Sequence, residues 1–361
     1  MHRVRAVELF RVRLPLRAPF RTARSTTIAK DALLVRVVTD DAEGWAEVGA
    51  EVAPTYAPDT LDTARLALRD ELVPRLYAGA DLDEVRGHHP ARAALVGAVL
   101  DARLRAEGTS LARHLGGVAP FVDAGVAIGS AGGPDDVARA ASAFVEEGYG
   151  SVKLKIAPGH DVDVVAAVRG AVDDDVIIQV DANGSYTISD ADRLRALDSF
   201  GVACLEQPLA PAALLDHALL VEVLRTPIGL DESITSPAAA RDAIALRACA
   251  VVSIKAALVG GLDAARATYD ACVAANVAAR AGGMLETGVG RAALVALASL
   301  PGFTVTGDLS ASNRYFEEDL TAPFELTDGR LAVPVGPGLG VTPLPEVLAR
   351  LTLARERIDP P

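Results

Sequence analysis

Lys155, Asp181, Glu206, Asp231 and Lys255 follow one another at intervals of 26, 25, 25 and 24 residues. Each closes a short apolar run: SVKLKI, VIIQVDAN, VACLEQPL, PIGLDES and VVSIKAA. Three carboxylates without histidine or cysteine make a hard oxygen donor set, suited to Mg2+ with Mn2+ as a substitute. A lysine before the trio and another after it set an amine on either flank. The combination points to carbanion chemistry. A single strand-end acid usually caps the following helix; three at one interval, each after an apolar strand, outweigh that reading. Lys153 and Lys155 lie two apart on one strand and share a face. An amine buried beside another cation loses basicity, which is what a base near neutral pH requires.

These residues need elements that aim them at one point. A strand with its return helix and loops takes roughly 25 residues, so the interval predicts a barrel in which each strand delivers one charged side chain at its C-terminal end. FVDAGVAIGS reads as the first barrel strand and PDDVARAASAFVEEGYG as the first return helix. Further strands are expected near 151–156, 176–181, 202–207, 227–231, 251–255, 276–281 and 303–308, eight in all. Ahead of them, VRAVELFRVRLPL and DALLVRVVTD read as strands flanking a polar, basic loop, RAPFRTARSTTIAK. Helical periodicity covers 59–115. Strands and then helices, followed by strict alternation, predict an α+β unit at 1–118 and a barrel at 119–315. The Pro/Gly-rich segment 316–361 is expected to return to the first unit.

Composition bounds what such a chain can do. Half of the 361 residues are hydrophobic, enough for a large core, and the net charge of −13 disfavours a nucleic-acid partner. No apolar run reaches the ~18 residues of a membrane span, and the N-terminal MHRVRAVELFRVRLPL lacks a continuous signal-peptide core. A cytoplasmic location and no membrane partner are expected. Cys204, Cys249 and Cys272 show no CxxC spacing and read as buried reduced thiols. The six histidines have no ligand spacing, no phosphate-loop motif is present, and GPGLG lacks a strand–turn–helix context.

The series K-x-K (Lys153, Lys155), D-A-N (from Asp181), E-Q-P (from Glu206), D-E-S (from Asp231) and I-K (Lys255) resembles the enolase superfamily, in its muconate-lactonising-enzyme subgroup. The segment GGMLETGVGRAALVALASLPGFTVTGDLSASNRYFEEDL (282–320) is similar to the family of o-succinylbenzoate synthases and N-succinylamino acid racemases. The likeness runs from PLRAPFRT to GPGLGV, so it covers essentially the whole chain. It implies a modified TIM barrel, (β/α)7β, with an N-terminal α+β capping domain completed by the C-terminal tail. It also implies that Asp181, Glu206 and Asp231 hold Mg2+, that Lys155 is the acid/base with Lys153 tuning it, and that Lys255 stands across the substrate. The activity implied is syn dehydration of 2-succinyl-6-hydroxy-2,4-cyclohexadiene-1-carboxylate to 2-succinylbenzoate in menaquinone biosynthesis, through a metal-stabilised enediolate. The alternative is racemisation of N-succinylamino acids, in which Lys255 must itself exchange a proton. Racemising relatives often carry an arginine three residues after that lysine; here IKAALVGG places Leu258 there, which tilts the reading toward dehydration. Arg280 and Ala281 also depart from the aromatic lead-in expected before Gly282. A barrel kept only as a scaffold is disfavoured, since all five positions retain competent residues.

Other candidates carry a plain alternative. Asn183 and Glu232 adjoin the proposed ligands and either support them from behind or cap helices. Gly282, Gly283 and Met284 could offer backbone N–H groups to a succinyl carboxylate, or merely form a turn that needs glycine. Asp308 and Ser310 could line the pocket or begin the last helix. Thr22, Arg24 and Ser25 could close over the mouth or remain solvated loop. The partner expected is a small carboxylate substrate, with a homo-oligomer open.

Overall fold

A computed structural model describes residues 3–21, 26–130 and 132–361. Its first three strands are β1 (Val4–Arg21), β2 (Thr26–Thr39) and β3 (Glu43–Glu47). Along β1 and β2 successive side chains leave opposite faces, and both faces are buried. Val7, Leu9, Leu33, Val35 and Val37 pack on the helices Leu61–Ala67 and His89–Ala106. Phe10, Val12, Leu14 and Leu34 join the larger core that runs into the barrel. At roughly 1.5–3 kcal/mol for each fully buried Val, Leu or Phe, both faces of the sheet hold it in place.

The segment expected as the first barrel strand divides in two. β4 (Phe121–Asp123) stands outside the barrel, and β5 (Gly125–Ile128) enters it. Next come β6 (Ser151–Lys155), β7 (Ile177–Asp181), β8 (Cys204–Glu206), β9 (Ile228–Leu230), β10 (Val251–Ile254) and β11 (Ala278–Ala281). Among the described residues, β5 to β11 form one parallel sheet in chain order, with helices between the strands.

The eighth strand expected at 303–308 does not form a ladder. Phe303 makes one parallel bridge to Ala279, and the Leu309 carbonyl accepts from Gly125 N at 3.2 Å. The segment is packed too tightly at its glycines for side chains: a Cβ on Gly307 would lie 2.2 Å from the Ala281 carbonyl oxygen, and one on Gly125 2.5 Å from that of Gly307. The barrel is therefore closed by backbone proximity and not by a regular strand.

β12 (Arg330–Ala332) pairs antiparallel with β4, and β13 (Thr352–Ile358) pairs with β1, Val7 opposite Ile358. The first sheet thus has the order β13-β1-β2-β3, and the C-terminal segment completes it as expected. Buried Asp101 fastens the units together, accepting from Trp45 N at 2.8 Å, Leu339 N at 2.6 Å and Arg105 Nε at 2.8 Å. The three cysteines are buried and free. No helix among the described residues is long and apolar enough to cross a membrane.

Candidate active site

Parallel register sets Lys155 beside Asp181 and Asp181 beside Glu206. Asp231 and Lys255 directly follow the ends of β9 and β10. The motifs then lock one another. Gln207, of E-Q-P, accepts from Asp231 N at 3.0 Å and Ser233 N at 3.2 Å, and donates to Ser233 Oγ at 2.8 Å. The D-E-S turn, and with it Asp231, is thereby fixed by the strand before it.

Lys155 Nζ donates to Asp181 Oδ2 at 2.5 Å and Asn183 Oδ1 at 3.0 Å. Lys153 Nζ lies 3.2 Å from Asp181 Oδ2, donates to Asp308 Oδ2 at 2.7 Å and is paired with Glu206. Lys255 Nζ donates to Asp231 Oδ2 at 2.6 Å and to the hydroxyl of Tyr56 at 2.5 Å, and stands 4.4 Å from the centre of that ring. Asn183 donates to Glu232 Oε1 at 3.0 Å, which joins the two residues expected behind the trio.

Charge balance explains the protonation states. Burial disfavours each ion, but opposite charges outweigh it. Asp181 is held well below the usual carboxylate range by Lys155 and Lys153 despite burial. Against the same burial cost, Asp308 and Asp181 keep Lys153 more basic than a free lysine, and Asp231 and Glu232 do so for Lys255. Glu232, buried beside Asp231 and Asp181, is pushed up to about 7. Lys153, the cation expected to tune Lys155, is itself engaged by three carboxylates, Asp181, Glu206 and Asp308.

The carboxylates do not stand as a ready cage: among the described residues no group of three or more His, Cys, Asp and Glu side chains is arranged to enclose a cation. Buried anions repel, and each has taken an ammonium partner. The donor set nonetheless fits a divalent metal. Glu206 Oε1, Asp231 Oδ1 and Glu232 Oε2 are buried without a hydrogen-bond partner, and such oxygens with unspent lone pairs are what a hard cation takes.

Lys153, Lys155, Asp181, Asn183, Lys255 and Asp308 all line one cavity of about 650 Å3, roofed by β1 and β2 through residues such as Phe20, Ile28 and Lys30. That volume lies in the range of small-molecule sites. Gly283 and Met284 reach the cavity. Gly282 backs Lys255 instead; a Cβ there would lie 2.8 Å from Lys255 Cγ. Ser310 does not line the cavity: it is buried, and its carbonyl accepts from Arg291. Thr22, Arg24 and Ser25 lie outside the described residues.

Sequence reasoning missed Tyr56, which comes from the capping unit and also donates to Asp231 Oδ2 at 2.8 Å. Nothing in EVAPTYAP marks it, since it bears no spacing relation to the barrel motifs. Lys30, which donates to the Met284 carbonyl at 3.2 Å, was missed for the same reason.

A capped parallel barrel with carboxylates and lysines at its strand ends defines a class, and residues 136–347 match the family model described as enolase C-terminal domain-like. The chain is 47% identical to an N-succinylamino acid racemase of Amycolatopsis sp, covering 97% of both sequences. It is 42% identical to an o-succinylbenzoate synthase of Geobacillus kaustophilus, covering 92% of both. It superposes on the crystal structure of an enolase-superfamily member from Listeria innocua Clip11262 with a TM-score of 0.95 and 34% identity over the whole of both chains. The chain belongs to the o-succinylbenzoate synthase/N-succinylamino acid racemase family, in the muconate-lactonising-enzyme subgroup of the enolase superfamily.

Proposed function

We propose that this enzyme is an o-succinylbenzoate synthase of menaquinone biosynthesis, carrying out the syn dehydration of 2-succinyl-6-hydroxy-2,4-cyclohexadiene-1-carboxylate. The pair of amines supports carbanion chemistry of either kind, and the apolar Leu258 after Lys255 is the observation that carries dehydration. Lys155 from β6 and Lys255 after β10 open on the same cavity, each bonded to a different carboxylate of the trio. Asp181, Glu206 and Asp231 would hold the divalent metal, typically Mg2+ in this superfamily; bound, it supplies electrophilic stabilisation of the charge that develops on the substrate carboxylate. Asn183 and Glu232, bonded to each other, support the ligands from behind.

Lys155 Nζ removes the proton α to the ring carboxylate. The same nitrogen, now an ammonium, delivers a proton to the departing 6-hydroxyl on the same face, which leaves as water while the ring becomes aromatic. Lys255 donates to Tyr56 and Asp231 and supplies positive charge opposite Lys155 without exchanging a proton. No charged side chain stands at the third position after it: Leu258 is buried there. That supports dehydration over racemisation. The second reading, N-succinylamino acid racemase, is favoured by the 47% identity to such an enzyme and by the reach of both lysines into the cavity.

One experiment separates the two. The protein is given the cyclohexadiene substrate with and without EDTA, and N-succinylamino acids in D2O. Metal-dependent aromatisation with slow α-deuterium exchange is expected. Rapid exchange from both enantiomers, without aromatisation, would replace the synthase by the racemase.

A further inference from the structure

The interior of the barrel beneath the mouth is unusual in being polar. Barrel interiors are generally filled by branched apolar side chains; here Ser151, Gln179, Ser253 and Arg280 are all buried within it. Arg280 is the largest fully buried side chain among the described residues, at 0% exposure, and sits beside Ser253 in the register of β10 and β11. Burying a guanidinium is costly unless its partners are well placed. Its partners form a chain. Gln179 donates to Ser151 Oγ at 3.1 Å and to the Thr306 carbonyl at 3.0 Å, which fixes its amide with Oε1 turned toward Arg280. Arg280 Nη1 donates to that oxygen at 2.5 Å, and Nη2 pairs with Glu206 Oε2.

Glu206 has a second ion-pair partner in Lys153, but Lys153 is shared with Asp181 and Asp308. Among the described residues the ion pair of Arg280 is with Glu206, Gln179 accepts from Nη1, and Nε has no hydrogen-bond partner. Both ion pairs reach Glu206 through Oε2, and neither carboxylate oxygen carries a hydrogen bond.

The geometry points to Arg280 as a positioning residue for the divalent metal: the relay Ser151–Gln179–Arg280 holds Glu206 by Oε2 and so presents its other oxygen to the cation. The inference rests on the proposed role of Glu206 as a ligand. Arg280 never meets the substrate; it acts through Glu206. Removing a partner that orients a metal ligand typically costs roughly 10–100-fold in metal affinity.

The test is calorimetric titration of Mg2+ into EDTA-treated, full-length R280M, R280K, Q179M, R280M/Q179M and E206Q, with circular dichroism on each to report folding. R280M is expected to weaken Mg2+ binding by roughly 10–100-fold, Q179M by a smaller factor in the same direction, and R280K to recover part of the loss. Because both residues act through one relay, the double variant should bind about as weakly as R280M alone. Should R280M not fold, Q179M and R280K carry the test, and unchanged affinity in both overturns the inference. R280M within about threefold of the parent, or strictly additive losses, also overturns it. E206Q separates the two levels: if it loses Mg2+ while R280M does not, only the role of Arg280 falls, whereas undiminished binding in E206Q removes Glu206 from the metal site itself.

Discussion

Tyr56→Phe isolates a hydroxyl that the capping unit places in the charged cluster. The hydroxyl donates to Asp231 Oδ2 at 2.8 Å and accepts from Lys255 Nζ at 2.5 Å. Burial and the carboxylates of Asp231 and Glu232 push its pKa well above the ordinary tyrosine value, so it remains protonated at any working pH. Phenylalanine keeps the ring, and with it the cation–π contact at 4.4 Å. What is lost is hydrogen bonding to charged groups, about 1.5–3 kcal/mol. At 1.36 kcal/mol per tenfold, kcat/KM for dehydration falls roughly 10–100-fold. Tyr56→Ala also removes the ring, whose hold on a largely desolvated ammonium contributes about 0.5–2 kcal/mol, and its loss is correspondingly deeper. The assay is the absorbance of the aromatic product at saturating Mg2+. If Tyr56→Phe stays within about twofold of the parent, Lys255 does not depend on the Tyr56 hydroxyl and the reasoning fails; equal phenylalanine and alanine variants would remove only the contribution of the ring.

Lys155→Ala is expected to lower kcat by a factor on the order of 10²–10⁴, the usual worth of a positioned base, with an unchanged circular dichroism spectrum; retained turnover would assign the base elsewhere. Glu47, whose pKa burial raises to about 7 against the opposing charge of Lys30 at 3.9 Å, supplies a pH test. A carboxyl whose folded pKa lies above its unfolded value contributes stability below about 4.5 that is lost as pH rises through about 7. Glu47→Gln keeps an acceptor for Thr287 and Gly290 but cannot ionise. Its thermal midpoint should therefore gain on the parent between pH 5 and pH 8, by an amount on the order of 3 kcal/mol when converted; a constant difference across that range would refute the assignment. The Trp45 amide and Arg105 donate to Asp101 Oδ2 and the Leu339 amide to Oδ1, so Asp101→Asn, with one oxygen, loses the charge facing Arg105 and leaves one oxygen position without its acceptor. A loss of about 2–4 kcal/mol in urea unfolding is expected, and less than 1 kcal/mol would mean that the bonds at Asp101 do not hold the units together.

The residues at strand ends were legible because a β/α unit repeats a length, and the length carries Lys155, Asp181, Glu206, Asp231 and Lys255 to the same rim. Fold class followed from the same repeat. The ion pairs were not legible: spacing places side chains on a rim but does not say that Lys153 turns to three carboxylates at once. Segment 303–308 opens with strand-forming residues, Phe303 to Thr306, yet Phe303 makes a single bridge to Ala279 and Gly307 packs directly on the Ala281 backbone. Ser310 stood in the right sequence neighbourhood, but its carbonyl is directed to Arg291 in the interior. Arg280 was visible as an odd residue before Gly282; only the coordinates connect it to Glu206. Tyr56 and Lys30 belong to a different unit from the motifs, and contacts between units leave no periodic trace in sequence.

The pairing of β13 with β1 has a consequence for biosynthesis. Residues 352–358 leave the ribosome after every barrel strand, so the roofing sheet of a nascent chain carries a bare flank on β1 throughout synthesis of the catalytic half. An unpaired flank of that kind is a template for foreign strands. A chain cut before Thr352 would keep its whole set of acids and lysines and still be prone to aggregate.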